Sequence, residues 1–229
     1  MPSPGSAASW DAVLAAGVAA QRLVPGSIAV GGAAAALYAH HRFSQDTDHL
    51  VPGLVTRFDS VRESLEASPS WKTARVQAPV LILGSINGVE VGFRQPRRKT
   101  PVDTQPLETS SGPIVVPTLD EMIGMKAYMA YSRNATRDFL DFAALASVAG
   151  EAATIASVLK SDERYGDLQT TSVLRAICGV LIDPRPYDLG SVDLSNYKGL
   201  LPGWRDWNRT VEVCRGIGQR VAAQSIIDA

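Results

Sequence analysis

A short β-prone run, Ser27 to Val30, leads straight into Gly31-Gly32. An alanine-rich stretch follows, and then two aspartates one residue apart, Asp46-Thr47-Asp48. This order constrains the fold more than any other feature of the chain. A glycine pair between a strand and a helix lets the backbone turn sharply and brings bare N–H groups against phosphate oxygens, beside a helix N-terminus that favours anions. On a strand, Asp46 and Asp48 are two positions apart and point to one face. Two neighbouring carboxylates repel each other, and a divalent cation relieves the repulsion. Mg2+ (or Mn2+) takes oxygen ligands and keeps positions open for triphosphate oxygens. Two such ions about 3.5–4 Å apart hold the attacking and leaving oxygens of an in-line displacement. Glu90 faces opposite to its apolar neighbours Val89 and Val91 and is expected as the third metal-binding carboxylate with Asp46 and Asp48.

Around this centre the patterning predicts an α+β protein. Trp10 to Leu23 has apolar residues at helical spacing and is stopped by Pro25-Gly26. Ala33 to His41 reads as a helix, Thr47 to Val51 as a strand and Phe58 to Ala67 as a helix. Ala74 to Leu83 and Val89 to Phe93 read as strands, with the hairpin signal Asn87-Gly88 between them. A basic loop, Arg94 to Lys99, a polar stretch and a short strand, Ile114 to Val116, come next. Thereafter the chain is helical. Thr118 to Glu121 is a capping box before a helix through Tyr131, and Asn134 to Thr136 caps a helix from Arg137 to Val148. Further helices are expected over Glu151 to Leu159, Thr171 to Leu181 and Trp204 to Ala223, with Pro184 to Lys198 a loop. The expected architecture is a small mixed sheet flanked by helices over 1–116, followed by a helical region over 117–229.

Composition narrows the class. With 229 residues, 45% apolar and 20% charged, the chain buries a real core and is not disordered. A formal net charge of −1 supplies no general attraction to nucleic acid, so any such contact must come from a local patch. The Arg94, Arg97, Arg98 and Lys99 cluster is the expected one. No apolar run is long enough to span a membrane. Met1 to Ser6 lacks a basic segment followed by an apolar core, so no signal peptide is expected, and the cytoplasm is the expected location. The two cysteines, Cys178 and Cys214, lack metal-type spacing and suit that reducing compartment as buried thiols.

At Gly31-Gly32 and Arg42-Phe43-Ser44-Gln45-Asp46-Thr47-Asp48 the chain resembles the nucleotidyltransferase superfamily and, more narrowly, the AbiEii-type nucleotidyltransferases, toxins of type IV toxin–antitoxin pairs. Two later motifs stand in the family's order: a helix bearing Lys126, and Arg137-Asp138-Phe139-Leu140-Asp141. The resemblance runs from about Val30 to Leu145. It implies that Asp46 and Asp48 bind metal and that Ser44 and the Gly31-Gly32 backbone hold the triphosphate of an NTP. It also implies that Lys126 neutralises phosphate, while Arg137, Asp138 and Asp141 close the nucleotide pocket. The acceptor it implies is the 3′ end of tRNA or a protein side chain, with a cognate antitoxin as partner. Two positions depart from the family: Ala33 replaces a hydroxyl residue after the glycines, and Glu90 stands where an aspartate is usual.

Each feature also has a plainer reading. Gly-Gly alone is a strand-to-helix turn, and Asp-x-Asp alone is a solvated turn; only their ordered combination is specific. Lys126 alone is a solvated helix residue, its neighbours Met122, Ile123, Met125 and Met129 reading as core. Arg137 and Asp141 alone form a surface i,i+4 pair worth about 0.3–0.5 kcal/mol. His40 and His41 have no partner at zinc-ligand spacing, and Ser44 lacks the base and orienting acid of a hydrolytic nucleophile. Trp204 and Trp207 read as packing for the last helix. Two rival functions follow. One is a degenerate nucleotidyltransferase that binds nucleotide or a partner without turnover, favoured by Ala33. The other is an Asp-x-Asp glycosyltransferase, disfavoured by the lack of a doubly wound pattern around the motif.

Overall fold

A computed structural model describes residues 8–227; the expectation drawn from Met1 to Ser6 lies outside them. The chain divides into two compact units. Of the described residues, one holds 8–34, Phe43–Pro96 and Thr104–Pro117; the other holds Ala35–Arg42, Arg97–Asp103 and 118–227.

The first unit is a five-stranded mixed sheet with helices on one face. Its elements are α1 (Trp10–Leu23), β1 (Ile28–Val30), the start of α2 (Gly31–Ala39), β2 (Asp46–Leu50), α3 (Leu54–Glu66), β3 (Trp71–Gln77), β4 (Leu81–Ile86) and β5 (Val89–Arg94). The strand order is β1-β2-β5-β4-β3, antiparallel except for the parallel β2–β5 pair. Val13, Ala16 and Ala20 of α1 and Leu54, Phe58, Val61 and Leu65 of α3 pack on Ile82, Ile86, Val91 and Phe93 of the sheet. Burial of these side chains, each worth roughly 1.5–3 kcal/mol for a large aliphatic or aromatic group, holds the layers together.

The hairpin at Asn87-Gly88 forms as the sequence predicts: both residues have positive φ, 50° and 85°, and Ile86 pairs with Val89. The run Ala74 to Leu83 is not one strand. It breaks at the Ala78-Pro79 turn into β3 and β4, because proline offers no N–H to continue a ladder. The polar stretch after the basic loop contains an unforeseen strand, β6 (Thr104–Leu107), paired antiparallel with β7 (Ile114–Pro117). The Gln21 side chain serves β7 as a strand neighbour would, donating to the Val115 carbonyl at 2.7 Å and accepting from its N–H at 2.8 Å.

The second unit is helical: α4 (Leu119–Ser132), α5 (Thr136–Ala149), α6 (Glu151–Leu159), the short α7 (Ser161–Tyr165) that the sequence did not predict, α8 (Val173–Ile182) and α9 (Trp207–Ile227). Its buried side chains include Met122, Ile123, Phe139, Leu140, Phe142, Leu145, Ile177 and Leu181. Trp204 is buried and Trp207 meets Phe139 edge-on, and both cysteines are buried free thiols. Two predicted caps need correction. Thr118 caps α4 through the Glu121 N–H, but the Glu121 carboxylate does not reach back; it is buried against Arg98 at 2.8 Å. Helix α5 starts after Ala135, and Asp188 supplies the cap, accepting from the Thr136 N–H at 2.8 Å and its hydroxyl at 2.7 Å. No described helix is long and apolar enough to cross a membrane.

Candidate functional site

Strand β2 presents its side chains alternately, with Thr47 and His49 buried and Asp46 and Asp48 half-exposed on the opposite face. On the parallel neighbour β5, Glu90 stands directly across from Asp46 and Gly92 across from Asp48. Glu90 is exposed, as its position between two buried valines predicts.

The Asp48 carboxylate occupies space that two glycines leave open. A Cβ on Gly92 would lie 2.7 Å from Asp48 Oδ1, and one on Gly31 would lie 3.3 Å from Oδ2. Gly31 also needs its freedom for the backbone, since φ is +72° where β1 turns into α2. Gly32 follows it in the first turn of that helix. Asp46 is held differently: the buried Ser44 hydroxyl donates to its Oδ1 at 2.8 Å. Ser44 therefore orients a carboxylate in addition to any contact with phosphate. Arg94, which the sequence places at the start of the basic loop, is the last residue of β5, its Nε 3.4 Å from Asp48 Oδ1.

Behind this face, His49 lies wholly buried against Phe93, with Nε2 3.1 Å from the Thr47 hydroxyl. Burial pushes its pKa down to about 3, so the ring is neutral at physiological pH.

The donor set fits a hard divalent cation as a carboxylate pair. Among the described residues no three His, Cys, Asp or Glu side chains gather into a group that holds a metal. Mg2+ is commonly bound through one or two carboxylates with water and substrate phosphates completing its shell, and Asp46 with Asp48 matches that share.

The second unit gathers the later motif residues into a buried ionic network. Lys126 Nζ is 2.7 Å from Asp141 Oδ2 and 3.2 Å from Asp138 Oδ1, and both acids are fully buried. Asp141 also accepts from Arg42 at 2.7 and 2.9 Å and lies 2.8 Å from His41 Nε2. Asp138 is gripped by Arg133, whose Nη2 approaches to 2.8 Å. Burial alone would raise the Asp141 pKa, but Arg42, Lys126 and His41 outweigh it and hold the carboxylate well below its usual range. Lys126, Asp138 and Asp141 thus come together, while Arg137, expected with them at the nucleotide pocket, is exposed, and the plainer reading of a surface Arg137–Asp141 pair gives way to His41, Arg42 and Lys126 as partners of Asp141.

The basic loop also divides. Arg97 and Lys99 are exposed, but Arg98 is buried, donating to the carbonyls of Thr100 and Pro101 and pairing with Glu121. Of the four cations, Arg98 is buried and Arg94 ends β5, which leaves Arg97 and Lys99 as the exposed cations of the loop itself. Sequence reasoning missed Gly92, although a glycine inside a strand signals a close approach. It also missed the Arg42 and His41 pairing with Asp141, about a hundred residues distant, for which no local signal exists.

No family model matches the chain. A crystal structure of a proposed nucleotidyltransferase from H. pylori superposes with a TM-score of 0.56, covering 97% of each chain at 14% identity. An antigenic nucleotidyltransferase-like protein from Paracoccidioides brasiliensis gives a TM-score of 0.47 over 71% of this chain and 91% of that one, at 15% identity. Among curated proteins, the heme uptake protein MmpL11 of Mycobacterium tuberculosis is 35% identical over 98 residues, 41% of this chain. The chain spans about 10% of the length of that relative. The first superposition shows the fold: a mixed sheet with flanking and C-terminal helices, as in nucleotidyltransferase-fold proteins.

Proposed function

We propose that this chain, on its nucleotidyltransferase fold, moves a nucleoside monophosphate from an NTP to an acceptor hydroxyl. The observation that carries this reading is the seating of Asp48 between Gly31 and Gly92, beside Asp46 on one strand face and next to the strand-to-helix turn. The acceptor oxygen bonds to the α-phosphorus, the bond from that phosphorus to the α,β-bridging oxygen breaks, and pyrophosphate leaves with the electron pair. The hydroxyl proton passes to the carboxylate face, where Glu90 stands exposed across from Asp46. Asp46 and Asp48 would hold Mg2+ or Mn2+, which would supply neutralisation of triphosphate charge. The Gly31-Gly32 N–H groups, in the first turn of α2, would receive phosphate, and Ser44 keeps Asp46 in position. Lys126, Asp138 and Asp141 fix α4 against α5 and anchor Arg42.

The spacing Arg42-x-Ser44-x-Asp46-x-Asp48 supports the narrower role of a toxin in a type IV toxin–antitoxin pair, with the tRNA 3′ end or a protein as acceptor and a cognate antitoxin as partner. A second reading, nucleotide binding without turnover, draws support from Arg94, which already answers part of the Asp48 charge.

Incubation with Mg2+, each α-labelled NTP and either total tRNA or lysate separates the two. Transfer of label with release of pyrophosphate, abolished in Asp46→Asn and in Asp48→Asn, is expected. Saturable NTP binding with no pyrophosphate released would establish the second reading instead.

A further inference from the structure

The face that bears Asp46 and Asp48 does not end at β5. Register carries it across the sheet in rows: Asp46, Glu90, Ser85 and Lys72 form one, and Asp48, Gly92, Leu83 and Arg75 the next. The side is fixed independently, since a Cβ on Gly92 would meet Asp48, Leu83 and Arg94 together. The helices α1 and α3 pack on the opposite face, through Ile82, Ile86, Val91, Phe93 and Trp71. The carboxylate face is half-exposed or exposed along both rows, Gly92 alone being buried.

Charge along these rows is sharply sorted. All three acids lie on β2 and β5, where Arg94 at the end of β5 answers Asp48, whereas β3 and β4 carry Lys72 and Arg75 and no acid. Both cations are exposed, and among the described residues neither forms an ion pair. Three strand spacings of about 4.8 Å put Arg75 roughly 14 Å from Asp48 across the sheet. Between Asp48 and Arg75 lie only Gly92 and Leu83, and in the neighbouring row Glu90 and Ser85 lie between Asp46 and Lys72.

We infer that Lys72 and Arg75 form a binding track for the phosphodiester backbone of a single-stranded nucleic-acid acceptor whose terminal hydroxyl lies at Asp46 and Asp48. The inference rests on the transferase reading and specifies its acceptor. A protein side chain entering the carboxylate centre has no use for cations 14 Å away, whereas a polyanion repelled by Asp46, Asp48 and Glu90 needs them along its path. The site also relocates the acceptor contact from the 97–99 loop, where Arg98 is committed to Glu121. Lysine and arginine on an edge strand also deter strand-to-strand aggregation; that role alone changes solubility and leaves oligonucleotide binding untouched.

The test is fluorescence anisotropy of labelled single-stranded RNA and DNA oligomers of about 12 nucleotides, titrated with the full chain between about 50 and 200 mM salt. In Lys72→Gln/Arg75→Gln, affinity should fall at least tenfold at low salt. The log–log salt slope should flatten by about 1.4, or about 0.7 per lost phosphate contact on a single strand. Each single variant should lose about half of that slope, with NTP binding and thermal stability unchanged. The RNA and DNA arms show which sugar is accepted. An unchanged slope in the double variant, or the same flattening in Arg97→Gln/Lys99→Gln instead, overturns the track. Pyrophosphate release with label on lysate protein, and no oligonucleotide binding by the wild type, overturns it while leaving the transferase reading intact. Absence of NTP binding and turnover by the wild type counts against the transferase reading itself.

Discussion

Gly92 and Asp48, on adjacent parallel strands, share one volume: a Cβ at position 92 would come within 2.7 Å of Asp48 Oδ1 and 3.1 Å of Leu83 Cδ2. A strand glycine is ordinarily a weakness, so its presence beside the acidic pair is explained by the room it leaves for a carboxylate.

Gly92→Ala should therefore act on the reaction rather than on the fold. Displacing the Asp48 carboxylate by a few tenths of an ångström to one ångström should lower kcat by about a hundredfold. Stability should change by no more than about 1 kcal/mol, since alanine is the better strand residue by backbone entropy. Steady-state pyrophosphate release and a urea melt on the same preparation measure both. Wild-type turnover in this variant would show that the Asp48 position is not critical.

Lys126 should behave in the opposite way. Its ammonium neutralises two fully buried carboxylates, so Lys126→Met leaves Asp138 with Arg133 and Asp141 with Arg42 and His41, each short of one partner. Loss of one member of a buried ion pair costs about 3 kcal/mol. Chemical denaturation should show this loss, and a cycle with Asp141→Asn should show strong coupling. A melt identical to wild type, with turnover alone reduced, would return Lys126 to a direct role on phosphate.

His49 sets a pH dependence. Its pKa is lowered from 6.5 to about 3 by burial, so between these values the unfolded chain binds a proton that the folded chain does not. Stability contributed by the neutral ring is complete above about pH 6.5 and declines as pH falls towards 3, by at most about 1.4 kcal/mol per pH unit. Asp141, whose carboxylate is held well below its usual range, adds a loss that sets in as pH falls through its unfolded value of 3.8 and continues below it. Urea midpoints followed from pH 7 to about 4 should fall for the wild type and stay flatter for His49→Leu. Parallel curves for the two proteins would assign the acid sensitivity elsewhere.

The site was legible in part because its central signals are local. A glycine pair after a β-prone run, and two aspartates two positions apart on a strand, are short-range patterns whose geometry the backbone dictates. Strand alternation alone also exposes Glu90 between Val89 and Val91. The strand break at Pro79 and the role of Gly92 were equally local, and a stricter reading of proline and glycine inside strand patterns would have found both. The Asp188 cap on α5 and the Arg98–Glu121 pair had no such signal, since each joins residues more than twenty positions apart.

The sequence by itself determined the α+β class, the longer helices and the facing of Asp46 with Asp48, because periodicity and turn chemistry act over a few residues. Only the tertiary structure decided that β2 lies parallel to β5, which sets Glu90 opposite Asp46 and Gly92 under Asp48. It alone decided that Arg98 is buried while Arg97 is exposed, and that Lys126 is paired to two buried acids. Those outcomes turn on which charged groups lose water and find a partner from a distant segment. Desolvation is settled by packing, and packing is not written in any short stretch of chain.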